Sequence, residues 1–438
     1  MLIGTSAQKF NKENIAMPMT EAMVLGAELE RVLPDVPISF DRDDTFYSMI
    51  EKRPVEVVSG RDMRIPIELF PGGFTRQYSS DGGDMGIGSG PTYDKAVINT
   101  VDLTHAVQWT VKSQWVTDDR RKAVINNLRR LLANQMQQFR RDVDALISVG
   151  DGNGDLGTVG TFTAGGLPGL DTIVMNVDGF GAHNVRYGIN VDFWAANFSA
   201  KRAGGPAQVT YWDVRNKTIG IPTGQVSGIL ANDHVVMEGV PGTPPVSVLG
   251  VAYHDNDATT GSWLGFDRSQ VPQIVANSVN AASNPLALPF SRLALNLIGD
   301  RLGLKERGQR TIAMTHPAQQ QAYEQLGAAI MQIHKKPQEE PLDLYFSDNM
   351  RLAGAPLKVS YAWDRTKVDF IDLDLWGRAE LHKTSFYEVD GRRIFEMRGA
   401  SGGLAAALIF YIVSSFNVFL KCPAGASYIK NLTFPTGY

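Results

Sequence analysis

From Gly399 to Leu420 the chain carries no formal charge, reading GASGGLAAALIFYIVSSFNVFL between Arg398 and Lys421. Such a run has to leave water somewhere: in a bilayer, behind the nucleophile turn of a hydrolase, or in a sheet. A transmembrane helix needs roughly 20 mainly apolar residues, and this run is long enough. Gly402, Gly403, Ser414, Ser415 and Asn417 interrupt it, and its second half is rich in Ile, Phe, Tyr and Val, which favour strands. Leu408, Phe410, Ile412, Phe416, Val418 and Leu420 share one parity, broken only by Ser414, as a long strand with one buried face requires. The run predicts a buried sheet strand, with a tail-anchored membrane protein as the alternative.

The same stretch contains Gly399-Ala400-Ser401-Gly402-Gly403, which matches the G-x-S-x-G turn of serine hydrolases. That fold places its acid and histidine after the serine, and no Asp, Glu or His follows Ser401. A small-residue turn before a strand is the better reading, and serine hydrolase is the weaker of the two alternatives. The seven histidines (His105, His183, His234, His254, His316, His334, His382) form no close pair of the kind that holds a metal. Asp151, Asn153 and Asp155 have the spacing of the first ligands in a calcium loop, but Leu156 replaces the required glycine and Phe162 stands where a bidentate carboxylate belongs. A glycine-rich helix exit explains DGNGDLG better. Gly86, Gly88 and Gly90 lack the Lys-Ser/Thr pair and following helix of a phosphate loop.

At 438 residues, with 43% hydrophobic and 20% charged residues, the chain has ample material for a large core and the composition of an ordered globular protein. Its net charge of −4 argues against a dedicated nucleic-acid reader, which needs a strong basic field. Cys422 is the only cysteine, so no intrachain disulfide forms. The start, MLIGTSAQKFNKENIAMPM, has no apolar stretch of the secretory kind.

Along the chain, residues 1–55 read as an N-terminal arm with short helices near Thr20 to Val32 and Asp43 to Lys52. Residues 56–115 read as a long two-stranded extension with a glycine-rich tip, FPGGFTRQYSSDGGDMGIGSGP. In its second strand Val97, Val101, Leu103, Val107, Trp109 and Val111 fall at even spacing, one apolar face of a strand. A two-stranded ribbon is marginal in water on its own, so this stripe is expected to find its cover on a neighbouring subunit. The clearest helix spans Asp118 to Val149: Thr117 can cap it, Gly150 can end it, and Val124, Leu128, Leu131, Leu132, Met136, Phe139, Val143 and Leu146 repeat at three and four residues. Its arginines (Arg120, Arg121, Arg129, Arg130, Arg140, Arg141) read as a solvated face. A β-rich module covers 206–268. Helices near Leu286 to Leu304 and Pro317 to His334, with strands around Leu357 to Leu375 and Ile394 to Leu420, complete a mixed α+β body.

This order resembles the major capsid proteins of tailed bacteriophages, the Hong Kong 97-like fold. Local echoes are GLPGLDTIV (Gly166 to Val174), YGINVDFWAANF (Tyr187 to Phe198), GSWLGFDRSQVPQ (Gly261 to Gln273) and FLKCPAGASYIKNL (Phe419 to Leu432). The resemblance implies an arm (1–55), a β-hairpin extension or E-loop (56–115), a spine helix and the start of a peripheral lobe (116–205), the β-rich insertion (206–268), an axial lobe (269–375) and a return to the peripheral lobe (376–438). It implies hexamers and pentamers of one chain around double-stranded DNA, and a virion location after assembly in the host bacterial cytoplasm. Its partners would be itself, a portal, scaffolding or decoration proteins, and packaged DNA in non-specific contact, with no membrane. It implies no catalytic residue, cofactor or metal. Some members crosslink an extension lysine to an asparagine; Lys95 is the only lysine between Lys52 and Lys112, and Asn417 and Asn431 are the asparagines that could answer it. Members with a fused scaffolding segment have a much longer region before the extension than the one ahead of Arg64, so a separate scaffolding protein or none is expected, and with Met1 first a large cleaved prodomain is not.

Overall fold

In the computed structural model the helix predicted from the three-and-four spacing runs from Arg121 to Val149. The structure describes residues 44–53, 55–57, 62–75, 87–110, 121–176, 181–303, 311–332, 350–398 and 404–435. The expected helix at Thr20 to Val32, the cap Thr117, residues 76–86 of the glycine-rich tip, His334 and Ser401 lie outside the described residues. The helix stops at Gly150, where a Cβ would stand 2.2 Å from the Leu146 carbonyl oxygen. Phe139, Val143 and Leu146 are buried at the predicted spacing.

Its last two turns differ from the expectation of a solvated arginine face. From Arg141 to Ser148 every residue is buried, Asp142 and Asp144 included. Burial of charge requires partners, and the chain supplies them. Arg140 is held by Asp44 and Glu51, each at 2.7 Å. Arg141 donates to the His183 carbonyl at 2.6 Å. Asp142 takes a two-point bond from Arg186, at 2.7 and 2.5 Å, and Asp144 accepts from the Tyr47 amide at 2.6 Å.

The described chain divides into two units. The larger draws on Asp43–Asp102, Arg140–Lys383 and Ser415–Tyr438. One of its sheets has seven antiparallel strands in the order Ala207–Gln208, Asn190–Trp194, His234–Met237, Asp155–Leu167, Leu170–Met175, Thr218–Pro222, Tyr211–Asp213. Strands from both sides of residue 206 share it. A second, six-stranded mixed sheet has the order Asn277–Asn280, Ser427–Lys430, Val368–Asp372, Thr311–Thr315, Ala355–Val359, Arg351–Leu352. The helix Leu288–Leu302 lays Ala294, Leu295 and Ile298 into a cluster with Val279, Phe370 and Ile429 of that sheet.

The smaller unit draws on Leu103–Phe139 and Thr384–Ser414. Within it, His105 meets the helix, with Nε2 at 2.7 Å from Gln135 Oε1 and its ring 6.4 Å from that of Phe139. Trp109 packs on Phe410 at 5.6 Å.

The uncharged run is a strand, Leu404–Leu420. It sits between Trp376–Phe386 and Phe395–Arg398, and Val101–Thr110 also pairs with it. Phe410, Ile412, Ser414, Phe416, Val418 and Leu420 are buried at the predicted parity, and from Ser415 onward both faces are buried. No helix among the described residues is long and apolar enough to cross a membrane.

Candidate assembly surface

The extension is an antiparallel hairpin of Asp62–Phe70 and Thr92–Asn99, registered from Asp62 opposite Asn99 to Pro66 opposite Lys95 and beyond. A second strand, Val101–Thr110, follows after a break at Thr100. The break changes which side chains face inward. Ala96 and Ile98 are wholly buried and Val97 is exposed, whereas after Thr100 the odd positions Val101, Leu103, Val107 and Trp109 turn inward. The single stripe read from Val97 through Val111 is therefore two half-stripes of opposite parity. Asn417 pins the break by donating Nδ2 to the Asn99 carbonyl at 2.7 Å while its Oδ1 accepts from the Leu249 amide at 2.9 Å.

The cover is also nearer than expected. Ala96 and Ile98, with Met63, Ile65, Ile67 and Leu69, pack against Trp263, Leu264, Phe266 and Phe419 of the same chain. The Val97 amide donates to the Leu264 carbonyl at 3.1 Å. Leu264 sits in the left-handed region at φ 49°, and its own amide donates to the Tyr253 hydroxyl at 2.9 Å. The sequence GSWLGFDRSQVPQ is thus a clasp on the base of the hairpin. What remains exposed is the distal part: Phe74, Ile87 and Tyr93 are 56%, 94% and 62% exposed. Lys95 is exposed beside them.

Of the two asparagines that could answer Lys95, Asn417 is 3% exposed and holds the bonds just described. Asn431 takes a left-handed turn at φ 59° and donates Nδ2 to Asn280 Oδ1 at 3.0 Å. Sequence reasoning missed the clasp because its contacts with the hairpin are far apart in the chain. The one available signal was the apolar spacing of Trp263, Leu264 and Phe266 between glycines.

The residues singled out for chemistry are distributed through the body. Asp151 accepts from the Asn153 amide and side chain at 2.9 and 2.8 Å, the turn of a helix exit. Asp155 pairs with His234, Oδ2 to Nδ1 at 2.7 Å. Burial raises the Asp155 carboxyl, against the pull of His234. The far nitrogen of His234 faces the Ala196 carbonyl at 3.2 Å, and the ring stacks on Phe198 at 4.0 Å. His234 is tied off at both ring nitrogens, by Asp155 and by the Ala196 carbonyl.

No protein-family model matches the chain, and no curated protein matches it. Among solved structures, the capsid chain of cyanophage A-1(L) aligns with 92% of this chain and 96% of its own length, at 10% identity and a TM-score of 0.58. The fold is the Hong Kong 97-like capsid fold. Longer but looser alignments join it: the capsid of an empty GTA particle (12% identity, 96% and 99% of the two chains, TM-score 0.46) and the capsid of cyanophage P-SCSP1u (10% identity, 93% and 94%, TM-score 0.41). In capsid-fold terms, the hairpin is the extension, Arg121–Val149 is the spine helix, and Leu404–Leu420 is the long strand near the end.

Proposed function

We propose that this chain is a major capsid protein that self-assembles, as hexamers and pentamers, into the icosahedral head of a tailed double-stranded DNA bacteriophage. The observation that carries the reading is the near end-to-end alignment with the cyanophage A-1(L) capsid chain. It joins a hairpin whose base is clasped by its own chain and which leaves Phe74, Ile87 and Tyr93 exposed. Six segments follow from the reading: arm 1–55, extension 56–115, spine and first peripheral part 116–205, β-rich insertion 206–268, axial lobe 269–375, and peripheral return 376–438. The protein's work is structural, without catalysis. Its partners are further copies of itself, a portal, a scaffolding or decoration protein, and packaged DNA touched without sequence preference. The net charge of −4 suits a wall that confines DNA without holding it tightly. The protein resides in the virion after assembly in the host bacterial cytoplasm.

Sedimentation and negative-stain electron microscopy of the purified protein test this. Rings, shells or particles support it. A protein that stays monomeric at every concentration and salt, with or without the rest of the phage head proteins, overturns it.

A further inference from the structure

The first and last strands of the seven-stranded sheet, Ala207–Gln208 and Tyr211–Asp213, are two parts of one segment. Between them the Val209 amide donates to the Ile189 carbonyl at 2.9 Å on one side, and the Thr210 amide donates to the Gly220 carbonyl at 2.9 Å on the other. The sheet therefore closes on itself as a small barrel, with Val159, Ile173, Val191, Phe193, Ile219 and Val235 buried along its strands. Closure leaves this segment no free edge to which another chain could add a strand. A partner has to meet side chains and connections instead.

One end of the barrel is built from three stretches, 161–170, 195–206 and 223–232, that hydrogen-bond to one another. The Thr223 amide donates to the Gly169 carbonyl at 3.2 Å, the Gly205 amide to the Gln225 carbonyl at 3.1 Å, and the Ser227 amide to the Ala203 carbonyl at 2.9 Å. Three buried carboxylates anchor them from beneath. Asp171 accepts from the Gly165 and Gly224 amides at 2.8 and 3.0 Å. Asp233 accepts from the Leu230 amide at 2.7 Å and from Arg202 at 2.8 and 2.6 Å. Asp192 pairs with Lys201 at 2.8 Å. Stretches held in this way are ordered before any partner arrives, which removes part of the cost of covering them.

The resulting surface is nearly bare of charge. In a chain with 20% charged residues, Lys201 and Arg202 are the only charged residues in the three stretches, and both are bonded to acids of the barrel itself. Ala164, Ala196, Ala200, Ser227 and Ala231 are exposed, and Leu230 stands 59% exposed among them. Depletion of charge marks the core of protein interfaces. A basic partner would find no open carboxylate here, since Asp171, Asp192 and Asp233 are buried and occupied. Copies of this chain, each with a net charge of −4, repel one another. They meet at least cost where neither presents an unpaired charge, and a second copy brings a face as neutral as this one.

We propose that this end of the barrel is a self-association surface that meets the same surface of a second copy, residue against like residue, in an isologous contact. The choice of occupant rests on the shell reading, which brings many copies of one chain together.

Charge placed on this surface of the full-length protein tests the proposal. Ala164→Glu, Ala200→Glu and Ser227→Glu put one acid on each stretch, at exposed positions outside the left-handed backbone region. The acidic triple variant should therefore melt with wild type. In sedimentation over a concentration series its self-association should be weakened by about a hundredfold, because like charges juxtaposed across a contact are strongly repulsive. The basic triple variant, Ala164→Lys, Ala200→Lys and Ser227→Lys, should be weakened in the same way. An equimolar mixture of the two should regain wild-type association, which a loss of folding could not produce. Association of the acidic variant equal to that of wild type, or a mixture no better than its components, overturns the proposal. Particles from wild type and the acidic variant alike would remove this surface and keep the shell, whereas wild-type dimers that the acidic variant loses, without particles, would do the reverse. A wild type that stays monomeric would remove both.

Discussion

The Trp263 indole donates to His254 Nδ1 at 3.1 Å, and that bond leaves the other ring nitrogen, Nε2, to donate to the Val418 carbonyl at 3.0 Å. The imidazole is therefore neutral, fixed in one tautomer between the clasp and the long strand. Burial depresses its pKa to about 4, with Arg268 adding to the effect. Unfolded, the ring takes up its proton near 6.5. Between those values the unfolded state holds more protons, so this group's contribution is whole above about pH 6.5 and is lost as pH falls toward 4. The difference is worth roughly 3 kcal/mol at most. Urea melts at pH 7 and pH 4.5 should show a drop in wild type that shrinks in His254→Gln, whose amide can make both bonds without a proton to gain. Equal drops in the two proteins would mean that the ring does not govern this window.

A second buried group has the opposite sign. Asp255 is 2% exposed, and burial, then the neighbouring Asp369, raise its pKa well above the usual carboxylate range. Asp369 accepts from the Trp363 indole at 2.5 Å and lies 3.5 Å from the Lys367 ammonium, whose charge serves both acids. With a raised folded pKa, the cost of ionising Asp255 is absent below the unfolded value and grows as pH rises toward the folded one. Asp255→Asn should match wild type near pH 3 and exceed it at pH 7. Lys367→Met leaves Asp369 without its cation and should cost about 3 kcal/mol, the low end for a broken buried pair, because 20% of the Lys367 side chain reaches solvent. Chemical denaturation of both variants across pH decides the matter.

Gly377 is fixed by what faces it. A Cβ there would lie 2.4 Å from the Phe419 ring, itself wholly buried. Gly377→Ala should destabilise by about 1 to 3 kcal/mol through overpacking, and Phe419→Leu should recover part of that loss in the double variant. A double-mutant cycle reads the coupling directly; additive effects would show that the glycine is kept for another reason.

Local periodicity made the spine helix and the long strand legible. Phe139, Val143 and Leu146 on the helix, and Phe410 to Leu420 on the strand, are buried where three-and-four and alternate spacing put them. Long-range contacts were not legible. Nothing near Arg141 in sequence announces the His183 carbonyl that receives it, and nothing near Asn99 announces Asn417. The alternation from Val97 to Val111 reads as one unbroken strand, and a single residue out of register reverses every face.

The hairpin offers the test closest to function. Its base is held by the clasp, with Ala96, Ile98, Trp263 and Phe419 in one cluster, so the body does not need the tip in order to fold. Phe74 and Ile87, on the two sides of the tip, and Tyr93 at the start of the second strand stand in the open. Replacing residues 71–91 with a short Asn-Gly turn keeps the registered base and removes Phe74 and Ile87. The shortened protein should melt within a few degrees of wild type, since surface changes away from packed features are usually within about 0.5 kcal/mol. It should nevertheless fail to form particles in sedimentation and electron microscopy. Cutting at the clasp instead, with Trp263→Ala, should lower the melting temperature itself, because loss of a buried aromatic costs about 3 to 5 kcal/mol. Normal particles from the shortened protein would remove the tip from assembly, and an unfolded shortened protein would show that the base does not stand without it.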